Sequence, residues 1–168
     1  MAHDGQDVMT GNAPLLDKLC DLTRQAVPAA EQVLDAATEA LRGLVTVDGR
    51  VSNAAIEANQ TAAHGLAWLA TYVEALRQMQ AWADRLTEAG NFGEVEALIH
   101  QIAFGEYLHQ IAGGIPMNQA EVTRLADLGL GWDVLSGFQS DAVQTLMARG
   151  NSQSARTRLV ELMQERSA

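Results

Sequence analysis

A chain of 168 residues that is 48% hydrophobic, 19% charged and 5% aromatic, with three prolines, can close one compact core and is not a disordered polymer. So few prolines and aromatic residues, with alanine abundant, argue against a β-sandwich, and the predicted fold class is all-α, a helical bundle. Acidic residues outnumber basic ones 21 to 11; the formal charge of −10 opposes a phosphate backbone or an anionic lipid surface, so nucleic-acid and membrane partners are excluded.

The opening MAHDGQDVMTGN is polar and acidic, with no basic start followed by an apolar stretch. It predicts a disordered leader over 1–12 and a cytoplasmic address, with a single helical domain over 13–168 divided into a main bundle (13–130) and short C-terminal helices (131–168). Leu15, Leu19, Leu22 and Ala26 follow a helical repeat, with Pro14 suited to its first position. Pro28 predicts a kink or break, after which Val33, Leu34, Ala37 and Leu41 resume the repeat as far as Gly43. The stretch from Val45 to Val51 contains Asp48-Gly49, a hairpin turn signal, but no flanking strand of useful length, so a helix-to-helix loop is expected.

Ser52 or Asn53 can cap a helix that then meets no proline up to Gly90. Leu66, Leu69, Val73, Leu76, Met79 and Leu86 form its apolar stripe, and Trp68, Tyr72 and Trp82 broaden it. Gly90-Asn91-Phe92-Gly93 is short enough to fold the next helix back antiparallel, with Val95, Leu98, Ile99, Ile102, Leu108 and Ile111 as its core face. This long antiparallel pair is the expected centre of the bundle. Gly113-Gly114 and Pro116 stop the second helix. Asn118-Gln119-Ala120-Glu121 has the spacing of a capping box and predicts a short helix through Leu128. An exposed connection over 129–137 and two helices at about 139–148 and 153–165 complete the chain.

Few residues suggest chemistry. Glu106-x-x-His109 resembles half of a di-iron helix motif, with His100 a third metal candidate, but a second Glu-x-x-His is missing and a structural pair is the better reading. His64 and His100 could meet across an antiparallel pair, although isolated helical histidines usually serve packing or solvation. Cys20, the only cysteine, sits among Leu19, Leu22 and helical polar residues, a poor setting for an activated nucleophile, and has no partner for a disulfide. Gly129-x-Gly131 lacks the third glycine of a dinucleotide motif, Val134 standing there, and no strand precedes it. Arg149, Arg156, Arg158 and Arg166 make the C-terminal part locally basic, either as a solvated face or as a contact to an acidic surface.

Two longer stretches carry more information. Asp48-Gly49-Arg50-Val51 leads into Ala63-His64-Gly65-Leu66-Ala67-Trp68-Leu69-Ala70-Thr71-Tyr72-Val73-Glu74-Ala75-Leu76, and Phe104-Gly105-Glu106-Tyr107-Leu108 leads into Gly113-Gly114-Ile115-Pro116-Met117-Asn118-Gln119. Over about 45–130 the chain resembles the helical N-terminal extension of methylsuccinyl-CoA dehydrogenase-like members of the acyl-CoA dehydrogenase superfamily. The resemblance implies that FAD, the catalytic glutamate and the acyl-CoA pocket reside in a flavoprotein body, so no catalytic or flavin-binding role transfers to a residue here. It further implies a non-catalytic module of, or docking partner for, a FAD-dependent short-chain acyl-CoA dehydrogenase. The expected contact residues are Ile115, Pro116, Met117, Asn118 and Gln119, with Trp82 as an aromatic contact. Competing expectations are an independent metal-binding bundle at Glu106, His109 and His100, and a structural bundle that associates with a second copy of itself.

Overall fold

The computed structural model describes residues 13–167, so the leader expected at 1–12 lies outside the described residues. A strap of bends and a turn over 13–18 enters α1 (Leu19–Val45). A hairpin of β1 (Thr46–Val47) and β2 (Arg50–Val51) then leads to α2 (Asn53–Ala58) and α3 (Gln60–Glu88). After a tight turn, α4 (Glu94–Gly113) runs back, and a second hairpin follows, β3 (Ile115–Pro116) with β4 (Val122–Thr123). A 3-10 turn (Leu125–Leu128) and the helices α5 (Trp132–Phe138), α6 (Asp141–Arg149) and α7 (Gln153–Ser167) end the fold. The all-α bundle stands, and its centre is three long helices rather than a pair.

The third long member is α1. Ala26, Ala30, Val33 and Ala37 lie one turn apart on its buried side, and their small side chains let α3 approach closely through Leu69, Val73 and Leu76. Two ion pairs set the register. Arg24 meets Asp84 at 2.7 Å and Glu31 meets Arg77 at 2.6 Å, so seven residues forward on α1 are seven back on α3, an antiparallel crossing. From α4, Phe104, Leu108 and Ile111 join the same core, as do Phe138 of α5 and Val143 and Leu146 of α6.

Several local expectations are corrected. The first helix starts at Leu19, not near Pro14, and it does not break at Pro28. Proline inside a helix costs about 3 kcal/mol through the lost N–H and the clash with the carbonyl four residues earlier. Pro28 is exposed, where water can serve that carbonyl, while apolar residues on both sides of it bury against the same neighbours and hold the helix continuous. The loop expected over 45–51 is a minimal hairpin, Thr46 facing Val51 and Val47 facing Arg50, and the positive φ of Asp48 (48°) and Gly49 (75°) supplies its tight turn. The single helix expected from 52 to 89 is divided at Asn59, although Ser52 caps its first part by accepting from the Ala55 amide at 3.3 Å.

Asn118 does not start a helix. Its Oδ1 accepts from the amides of Ala120 and Glu121 at 2.8 and 3.1 Å, which closes the tip of the β3–β4 hairpin. The connection expected over 129–137 contains α5, and Ile99, expected in the core, is exposed.

A buried amide joins the strap, α4 and the last turn of the chain. Gln101 on α4 accepts from the Leu16 amide at 2.7 Å and donates to the carbonyls of Pro14 at 2.9 Å and Gly150 at 3.1 Å. Beside it the α4 backbone meets the α6–α7 turn without intervening side chains: a Cβ on Gly105 would stand 2.6 Å from the Asn151 nitrogen, and one on Gly150 would stand 3.0 Å from the Gln101 carbonyl oxygen. Replacing Gln101 with Leu strands three backbone polar groups and is expected to cost about 3 kcal/mol, lowering the thermal midpoint by roughly 10 °C in circular-dichroism melts. A midpoint within about 2 °C of wild type contradicts this role.

Candidate functional site

The metal candidates do not converge. His100 is fully buried, whereas Glu106 and His109 lie on the exposed side of α4. Among the described residues no three of His, Cys, Asp and Glu stand close enough to hold a metal ion. Glu106 instead accepts from Gln110 at 2.6 Å and from the Asn151 side chain at 2.7 Å, so it helps anchor the α6–α7 turn. His109 Nδ1 lies 3.2 Å from the Gly105 carbonyl of its own helix. Nor do His64 and His100 meet: the partner of His64 is Trp68, and that of His100 is Thr23.

His100 is a structural imidazole. The Thr23 hydroxyl donates to the Cys20 carbonyl at 3.2 Å, so at 3.1 Å it accepts from a protonated His100 Nε2, and Nδ1 is left with its lone pair and no partner among the described residues. The ring packs against Phe104, Phe92 and Trp82, with centroids 4.7, 5.9 and 6.5 Å away. Burial pushes its pKa down to about 4, against the smaller opposing pull of the Asp84 carboxylate. The Cys20 thiol is likewise raised by burial, with Arg24 opposing, which disfavours the thiolate a nucleophile needs.

The C-terminal arginines are largely engaged within the chain. Arg158 grips Glu94 through two bonds of 2.8 and 2.9 Å, Arg166 reaches Glu96 at 3.3 Å, and Arg156 donates to the Asn151 carbonyl and side chain at 2.7 Å. These contacts fasten α7 to the start of α4 and to its own preceding turn. Trp82 is half-buried against Phe92 and His100, so it serves the α3–α4 corner.

The two stretches that carry the family resemblance meet at the other end of that helix pair. Tyr72 of α3 packs edge-on against Tyr107 of α4 with centroids 4.7 Å apart, and its hydroxyl donates to Gln110. Gly65 has no side chain because β4 and the 3-10 turn lie against it: a Cβ there would stand 2.6 Å from Thr123 Cγ2 and 3.0 Å from a Leu128 methyl. Between α3 and the second hairpin opens a cleft of about 430 Å³, lined by Gln60, Thr61 and His64 on one side and Met117, Glu121, Val122 and Arg124 on the other. The Trp68 indole N–H donates to His64 Nε2 at 3.0 Å, which fixes the ring on the rim of this face.

Of the five residues expected to form the contact loop, Ile115 is in the core. As the first residue of β3, paired with Thr123, it turns its side chain inward, whereas Pro116, Asn118 and Gln119 are exposed and Met117 is half-buried, accepting from the Thr123 hydroxyl at 3.3 Å. The loop is therefore preformed. The sequence reading missed the contributions of His64, Val122 and Arg124 to this face and placed Trp68 with the core stripe. Gly65 was the available signal, since a glycine inside a long helix marks a close neighbour.

No family model matches the chain. The chain matches a fragment of an acyl-CoA dehydrogenase: it is 54% identical over 157 residues to the (2S)-methylsuccinyl-CoA dehydrogenase of Cereibacter sphaeroides, a span that covers 94% of this chain and 28% of that protein. The similarity thus extends well beyond the 45–130 span on which the resemblance was read.

His100 also sets a pH dependence. Unfolded, the imidazole titrates near 6.5; folded, it stays neutral down to about 4. Its contribution is complete above pH 6.5 and is lost as pH falls towards 4, a total of about 3 kcal/mol at up to about 1.4 kcal/mol per pH unit. Urea denaturation between pH 7.5 and 4 is expected to show this slope, and His100→Gln, which keeps a donor for Thr23, is expected to flatten it. An unchanged slope in that variant contradicts the assignment.

Proposed function

We propose that this chain is a non-catalytic helical module of, or a docking partner for, a FAD-dependent short-chain acyl-CoA dehydrogenase of the methylsuccinyl-CoA type, acting in the cytoplasm by contact with the flavoprotein body. The observation that carries this reading is the 54% identity over 94% of the chain to a fragment of such an enzyme.

The two glycine-capped helix starts, those of α4 and α5, do not suit a flavin pyrophosphate. A dinucleotide pyrophosphate needs backbone amides free at a helix start and no negative charge beside them. The first turn of α4 carries Glu94 and Glu96, and the Glu96 carboxylate accepts from the Gly93 amide at 3.2 Å. The first turn of α5 carries Asp133, packed against Gly131. As the resemblance implies, FAD and the oxidation chemistry are assigned in this proposal to the rest of the enzyme, and no step of that chemistry is routed through this chain.

What the module offers is a rigid surface. Asn118 pre-shapes the Pro116–Gln119 tip, Thr123 holds Met117, and His64 holds Trp68, so little conformational entropy is lost when a partner covers them. Removing the matching segment from the Cereibacter sphaeroides enzyme is expected to lower the thermal midpoint of the FAD-loaded protein by several degrees, and adding this chain in trans is expected to restore it. Unaltered stability and turnover on deletion, with no association in trans, contradict the proposal.

A further inference from the structure

Exposed apolar residues gather at one end of the bundle. From Leu44 to Ala58 the chain makes the last residues of α1, the first hairpin and α2, yet Val45 is the only buried residue among them. Leu44, Val47 and Val51 are 50%, 53% and 65% exposed. The second hairpin belongs to the same end: α3 begins directly after α2, and its first turns line the cleft with Val122, itself exposed.

The start of α5 completes the patch. Along α1, Gln32, Ala36, Ala40 and Leu44 follow one another at a spacing of four and so share a stripe. Val134, Gly137 and Phe138 of α5 lie beside that stripe at Gln32 and Ala36, and Gly129 approaches Ala40, a Cβ on it standing 3.9 Å from the alanine methyl. Leu44, one turn further, is half exposed among the described residues, and Trp132, three residues after Gly129, is 75% exposed. Asp48, Arg50, Glu57, Glu121 and Arg124 are exposed around this end and give it a rim of mixed charge. An apolar centre with a free tryptophan inside a charged rim is the usual anatomy of a protein interface. The remaining exposed apolar side chains, Ile99, Val160 and Met163, lie on α4 and α7, which Arg158–Glu94 and Arg166–Glu96 already tie together.

We propose that the hairpin end, centred on Leu44, Val47, Val51 and Trp132, is the surface that seats against the flavoprotein body. This inference rests on the module reading above and adds the surface and the apolar chemistry of its partner. The body is the occupant because the matched dehydrogenase has more than twice as much chain outside the shared segment as within it, and because the β1–β2 turn, Asp48-Gly49-Arg50-Val51, is among the stretches that carry the resemblance while contributing nothing to this core.

The test compares carbene footprints of the isolated chain with those of a full-length FAD-loaded Cereibacter sphaeroides dehydrogenase in which this chain replaces the matching segment. Labelling of Leu44, Val47, Val51 and Trp132 is expected to fall several-fold in the full-length enzyme, with Ile99 and Met163 unchanged. Protection of Ile99, Val160 and Met163 instead overturns this surface and leaves the module reading standing. No protection anywhere removes both. If labelling of the hairpin end falls in the isolated chain as its concentration rises, the occupant is a second copy of the chain, and the inference is overturned.

Discussion

The fold depends on one side-chain amide. Gln101 lies near the middle of α4, and its oxygen and nitrogen serve the Leu16 amide and the carbonyls of Pro14 and Gly150, backbone groups from the opening strap and from the α6–α7 turn. In water each such bond is worth only about 1 kcal/mol net, but leaving any of these groups buried without a partner costs more than making the bond gains. Glycine at 105 and 150 follows from the same constraint, since side chains there would keep the α6–α7 turn out of reach of the amide. Once that turn is seated, Val143 and Leu146 lie in the common core, and α7 leaves at an angle that lets Arg158 and Arg166 reach the acidic start of α4.

A second buried polar contact complements the first. His100, next to Gln101 in sequence, binds Thr23, so α4 is pinned to the strap by one residue and to α1 by its neighbour. The polar groups that would be natural candidates for chemistry are thereby occupied by architecture. His100 is held neutral, Glu106 braces the last turn, and the Cys20 thiol is raised by burial. The surface carries a preformed hairpin tip, a tethered tryptophan, and an end of the bundle whose apolar side chains stay exposed among the described residues.

Much of this was legible in the sequence because helices declare themselves by period. The stripes of α3 and α4 were read from spacing, and the turn at Gly90–Gly93 and the stops at Gly113-Gly114 and Gly150-Asn151 from their glycines. Where the reading failed, a local signal had two structural solutions and tertiary contact selected one. Pro28 reads as a breaker, but exposure on the outer face of a helix buried on its inner face makes it tolerable. Asn118 can accept from amides two and three residues ahead at a helix start or in a hairpin tip, and the pairing of Ile115 with Thr123 decides for the hairpin. Gln101 gave no signal, since its partners lie 85, 87 and 49 residues away. The resemblance indicated the family, whereas the face on which its two stretches converge required the geometry of Gly65 and Tyr72.

In the proposed function this bundle is seated on a larger flavoprotein. Scanning calorimetry tests it most directly, on the isolated chain and on the full-length FAD-loaded dehydrogenase carrying this chain as its matching segment. Seating predicts that the bundle melts at a higher temperature in the enzyme than alone, in a transition shared with the flavoprotein body. Two independent transitions, one of them superimposable on that of the isolated chain, would contradict the account.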